Sequence, residues 1–143
     1  MPDKFNLFKI FKPTIMTAKT TNILYWVFTV LFSGLMIYSS VGGIGPNEQT
    51  IGIFNKYLGY PIYFIQFFSW AKIVGAIAIL IPGLKRIKEW AYAGLFFDLT
   101  AAVYSGIAVS GKFDPMMLTM LMWIVPGILS YYFWTKKTSF ILL

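Results

Sequence analysis

The stretch from Ile62 to Ser110 reads IYFIQFFSWAKIVGAIAILIPGLKRIKEWAYAGLFFDLTAAVYSGIAVS. Two apolar runs flank the short basic turn Pro82-Gly83-Leu84-Lys85-Arg86-Ile87-Lys88. Each run is long enough to cross a hydrocarbon core about 30 Å thick as an α-helix. Lys72 lies ten residues before Pro82, and Asp98 lies nine residues after Glu89. With a rise of about 1.5 Å per residue, both charges sit roughly 14–15 Å from the same membrane face. An unpaired charge at that depth costs about 2.5–3.5 kcal/mol on the insertion scale. Antiparallel neighbouring helices bring Lys72 and Asp98 level, so the pattern predicts a buried ion pair.

Helical spacing sorts the neighbours of the two charges. Ala91, Gly94, Asp98, Ala102 and Ser105 recur every three to four residues, which puts them on one face. Gln66, Ser69, Lys72 and Ala76 form a similar face, with Gly75 beside it. Small and polar faces allow close helix contact in lipid. Both faces are therefore expected to point into a bundle. Charged groups at this depth serve either a functional site or a pair that fixes helix register.

The composition agrees with a membrane protein. Hydrophobic residues make up 58% of the 143-residue chain and charged residues only 12%, with a mean hydropathy of +0.70. A soluble domain averages roughly 25% charged residues. The net charge is +7, but the basic residues flank apolar runs and form no single basic face. That placement argues against nucleic acid as a partner. Cysteine and histidine are absent. Disulfides, thiol redox centres, His- or Cys-ligated haem and the usual zinc sites are excluded on that inventory. No covalent cofactor and no metal site are expected. Redox chemistry here would need a bound lipophilic molecule or a partner subunit, so the chain is not expected to be an enzyme on its own.

Along the chain, residues 1–21 carry Lys4, Lys9, Lys12 and Lys19 among phenylalanines, as an interfacial segment on anionic lipid would. The first span is expected at about 22–42, with Thr29, Ser33, Met36 and Ser40 on its bundle side. Turn residues Gly42-Gly43 and Gly45-Pro46-Asn47 open a long connection to Pro61 that is expected to lie along the outer interface. Further spans are expected at about 62–81, 89–110 and 116–134, and Pro126 should kink the last of them. The four-span domain thus covers 22–137, and 138–143 form a tail. The N-terminal segment, the basic turn and the C-terminal tail hold nine Lys or Arg residues, against Lys56 and Lys112 on the opposite side. That asymmetry predicts cytoplasmic termini in a multi-pass protein of the cytoplasmic membrane. The fold class is all-α, a polytopic membrane four-helix bundle.

Several stretches carry a family likeness: Leu58-Gly59-Tyr60-Pro61, Trp70-Ala71-Lys72-Ile73-Val74-Gly75-Ala76, Leu80-Ile81-Pro82-Gly83, Lys88-Glu89-Trp90-Ala91-Tyr92-Ala93-Gly94 and Ser130-Tyr131-Tyr132-Phe133-Trp134. Together they resemble the DoxX-like family of small four-helix membrane proteins. The resemblance implies that fold and a poorly defined activity. Some relatives are linked to membrane oxidoreductase complexes, including thiosulfate oxidation with quinone as acceptor. Distant relatives resemble assembly factors. The family often places a His after the Ser of the third span, whereas Gly106 follows Ser105 here. No proton-relay role carries over to that position.

Three functions fit these observations. The first is a quinone- or lipid-binding accessory subunit of a membrane oxidoreductase assembly. Its cavity is expected among Ser33, Gln66, Trp70, Lys72, Asp98 and Trp123, which lie at similar depth. The second is a proton-coupled carrier, which with four spans would need to form a homo-oligomer. The third is a non-catalytic assembly partner in which the ion pair sets packing alone.

Overall fold

Thr17 opens the first helix by accepting a hydrogen bond from the Thr20 backbone N–H at 3.3 Å, and α1 then runs Ala18–Ile44. The computed structural model describes residues 16–141, so most of the expected interfacial segment, including Lys4, Lys9 and Lys12, lies outside the described residues. Asn47 caps a short α2 at Glu48–Thr50, which continues as a π-helix over Ile51–Tyr57. The expected outer connection is therefore mostly helical. The long helix α3 spans Ile62–Leu80 and α4 spans Lys85–Ser110. A 3-10 turn at Pro115–Met120, capped by Asp114, leads into α5 at Leu121–Ile141, with Pro126 inside it. Two tight reversals need glycine. Gly83 has φ 88° between α3 and α4, and Gly111 has φ 70° where its N–H closes α4 onto Ile107.

Four helices are long and apolar enough to cross a membrane, and no strand occurs among the described residues. Their apolar outer surfaces imply contact with the lipid bilayer. The long helices form a ring in the order α1, α3, α4, α5. The packing is heaviest where α1 meets α3 and α5, and α4 touches α5 only lightly.

The face of α1 that was expected to point inward does so: Thr29, Ser33, Met36 and Ser40 are all buried. Lipid offers no hydrogen bonds, so each buried hydroxyl needs a protein partner. Thr29 and Ser130 share a hydrogen bond at 2.7 Å, and Tyr92 reaches the same Ser130 hydroxyl at 2.6 Å. This knot ties α1, α4 and α5 together. Ser33 donates to the Ala76 carbonyl at 2.9 Å and joins α1 to α3. Phe32 fills the centre, stacked at 6.5 Å on Tyr92 and 5.9 Å on Phe96.

One expectation about rotation is corrected. α4 buries Lys88, Tyr92, Leu95 and Leu99, not the small face of Ala91, Gly94, Asp98, Ala102 and Ser105. Gly94 is exposed, and a side chain there would meet nothing. The centre needs large side chains to close around Phe32, so the small face is turned to the edge of the bundle.

Candidate functional site

Lys72 and Asp98 meet, with Nζ 3.2 Å from Oδ2. α3 and α4 run antiparallel from the Gly83 turn, and equal spacing from that turn puts the two charges level. The pair is not buried, however, which corrects the expectation. The two side chains keep 18% and 17% of their surface accessible. The reason lies in the neighbours: Gly42, Gly43, Ala101 and Ala102 are too small to cover the pair. What results is an open groove of about 140 Å3 with Lys72 and Asp98 in its wall. On this measure one water needs roughly 10–15 Å3, so the groove has room for considerably more than a single water.

One wall is an aromatic ladder. Tyr60, Phe64, Phe68 and Lys72 follow at four-residue spacing, close to one helical turn per step, and all four line the groove. Tyr60 and Phe64 stack at 5.2 Å, and Phe64 and Phe68 are 4.4 Å apart. The Tyr60 and Ser105 hydroxyls share a hydrogen bond, which fixes the connection before α3 against α4. The opposite walls come from the end of α1 and from Ala101 and Ala102 of α4. A side chain at Gly43 would collide with Ser69, so the α1 backbone approaches α3 closely here.

Of the six residues expected around one cavity, Lys72 and Asp98 come together and line the groove. The other four lie elsewhere. Gln66 donates to the Ile44 carbonyl at 3.3 Å and so satisfies an acceptor at the end of α1. Ser33 is tied to Ala76 in the core. Trp123 donates to the Leu35 carbonyl at 3.4 Å and packs on the core cluster. Trp70 is 55% exposed on the outside of α3. Among the groove residues not expected from the sequence are Tyr60, Phe64 and Phe68. Their signal is a period-four aromatic series leading into Lys72.

Chemically, the groove offers an ammonium donor and a carboxylate acceptor at one point of an otherwise apolar, aromatic surface. No group of acidic residues able to hold a metal occurs among the described residues. A sequence profile described as the DoxX-like family matches residues 27–128, most of the four-helix unit and both residues of the pair. Neither the curated proteins nor the solved structures contain a significant match.

Proposed function

The chain belongs to the DoxX-like family, and from that premise we propose that it is a membrane accessory subunit holding a lipophilic molecule with a polar head, of the prenylquinone class, beside Lys72 and Asp98. The observation that carries this reading is the ion pair set, still accessible, in the wall of an apolar groove. Pockets for such ligands are mostly apolar with a few placed polar groups. The Lys72 ammonium suits a carbonyl oxygen, and an Asp98 carboxylate oxygen accepts from a hydroxyl. The ladder of Tyr60, Phe64 and Phe68 suits a flat ring. When bound, a quinone supplies two-electron, two-proton acceptor chemistry, and the electrons come from an oxidoreductase partner. The chain acts in this scheme without catalysing alone, either as one copy or as a homo-oligomer.

A photoreactive short-chain prenylquinone, added to the protein in nanodiscs, tests this. Labelling is expected on the peptides carrying Phe64, Phe68 and Ala101, with competition by unlabelled quinone. The Lys72→Met/Asp98→Leu double variant should stay folded and lose that labelling. Even, uncompeted labelling of lipid-facing helices sinks the proposal. Labelling that survives in the double variant leaves the pair a purely structural role.

The same reading places the four-helix unit, residues 22–137, in the cytoplasmic membrane with both termini inside and segment 1–21 on anionic lipid. Its support is the nine-to-two distribution of basic residues. Single cysteines at Asn47 and Lys112 should react with an impermeant maleimide in whole cells, and one at Lys85 should not. Reaction at Lys85 overturns this orientation.

A further inference from the structure

Lys88 is 3% exposed, far more deeply buried than either member of the Lys72–Asp98 pair. Its ammonium donates to the Tyr25 hydroxyl at 2.6 Å and lies 5.3 Å from the centre of the same ring. Tyr25 in turn donates to the Ile79 carbonyl at 3.4 Å. Lys137 approaches from α5, with its ammonium 4.8 Å from the Tyr25 ring and 5.5 Å from the Trp26 ring. Two cations therefore share one aromatic ring. The only ion pair among the described residues is Lys72–Asp98, so neither lysine has a carboxylate of those residues at pairing distance. Lys88 uses one of its three N–H donors on Tyr25 and makes no other side-chain hydrogen bond to the described residues.

A buried ammonium without a counter-charge is costly, and a second ammonium beside it adds repulsion. Ring contacts offset only part of that cost. The missing partner must carry negative charge and several acceptor oxygens. Space for it exists: a cavity of about 260 Å3 opens among Tyr25, Trp26, Lys85, Lys88, Trp134 and Lys137. It lies where α1, the α3–α4 turn and the end of α5 meet, at the lysine-rich end of the bundle. Trp26 and Trp134 have the amphipathic character of residues at the headgroup level.

We propose that this cavity binds a phosphate-bearing anion, the headgroup of an anionic phospholipid, with Lys88 as the buried anchor and Lys85 and Lys137 closing around it. Basic pockets between membrane helices suit such headgroups. The site is separate from the groove at Lys72 and Asp98 and does not depend on what that groove holds.

The test uses full-length protein in neutral detergent, with phosphatidylglycerol, phosphatidylcholine or inorganic phosphate added. Thermal unfolding and native mass spectrometry give the readouts. Phosphatidylglycerol is expected to raise the unfolding temperature of the wild type and to remain as a one-to-one adduct. Lys88→Met should bind it at least tenfold more weakly. Without lipid, that variant should be at least as stable as the wild type, because it lacks the unpaired charge. Arg86→Met removes a charge from the same turn outside the cavity and should respond like the wild type. Protection by inorganic phosphate alone, lost in Lys88→Met, keeps the phosphate site but removes the lipid as its source. Equal protection by zwitterionic phosphatidylcholine overturns the charge argument. Equal responses of Lys88→Met and Arg86→Met overturn the site, as does a lipid-free Lys88→Met that is destabilised yet binds lipid normally.

Discussion

Lys72→Met and Asp98→Leu are each expected to lower stability in mixed micelles by about 2–3 kcal/mol, while the double variant returns to within about 1 kcal/mol of the wild type. Each single change strands one charge on an apolar wall. The 3.2 Å contact makes the pair a direct one. Its residual accessibility holds the loss below the roughly 3–5 kcal/mol typical of breaking a fully buried pair. The apolar surroundings hold it above the roughly 0–1 kcal/mol typical of a pair in water. Removing both charges removes the conflict. Denaturation of the four proteins by sodium dodecyl sulfate, read as a double-mutant cycle, checks this. Losses that add in the double variant mean that the two side chains do not support each other.

Gly127→Leu should cost about 3 kcal/mol, the upper end for forcing extra atoms into a filled core. A Cβ at this position would lie 2.8 Å from Phe32 Cε2 and 2.9 Å from Cζ. Phe32 cannot yield, because it is fully buried and stacked between Tyr92 and Phe96. Gly127→Ala should be milder, since it adds only the Cβ that meets Phe32 and not the further three carbons of leucine. Phe32→Ala alone should also be damaging, at about 3–5 kcal/mol for the lost ring. Combining Phe32→Ala with Gly127→Leu lets the new side chain fill the vacated space. The double variant should then lose clearly less than the sum of the single losses. Unfolding midpoints that simply add would show that the ring is not what excludes a side chain at position 127.

Length and hydropathy suffice to make the four membrane helices legible in the sequence. The Lys72–Asp98 contact is legible as well, because two opposite charges at equal distance from one turn have only one economical arrangement. The inner face of α1 stands out through its hydroxyls, which need partners in lipid. Rotation is harder. Every face of α4 is largely apolar, and lipid tails are as apolar as leucine, so amphipathicity cannot tell the core side from the lipid side. The small face around Gly94 permits close contact, but the volume around Phe32 needs Tyr92, Leu95 and Leu99. Trp70 and Trp123 are large enough to wall a pocket, yet a tryptophan is as well placed facing lipid or filling the core. The burial of Lys88 is hidden for another reason. α4 begins at Lys85 and not at the expected Glu89, which carries Lys88 from the turn into the packed helix.

The hydroxyl knot of Thr29, Tyr92 and Ser130 has a consequence for how the protein is made. Thr29 and Ser130 are 101 residues apart in the chain. A ribosome adding about 5–20 residues per second needs roughly 5–20 seconds to cover that distance. Throughout that interval α1 is already synthesised, and the Thr29 hydroxyl lacks its Ser130 partner. Ser33 meets Ala76 of α3 earlier, and Ser40 bonds Met36 of its own helix. Membrane insertion and bundle closure are therefore separate events in time. During the delay, the Thr29 hydroxyl has the carbonyl one turn back in its own helix as its available partner, the kind of bond that Ser40 makes to Met36.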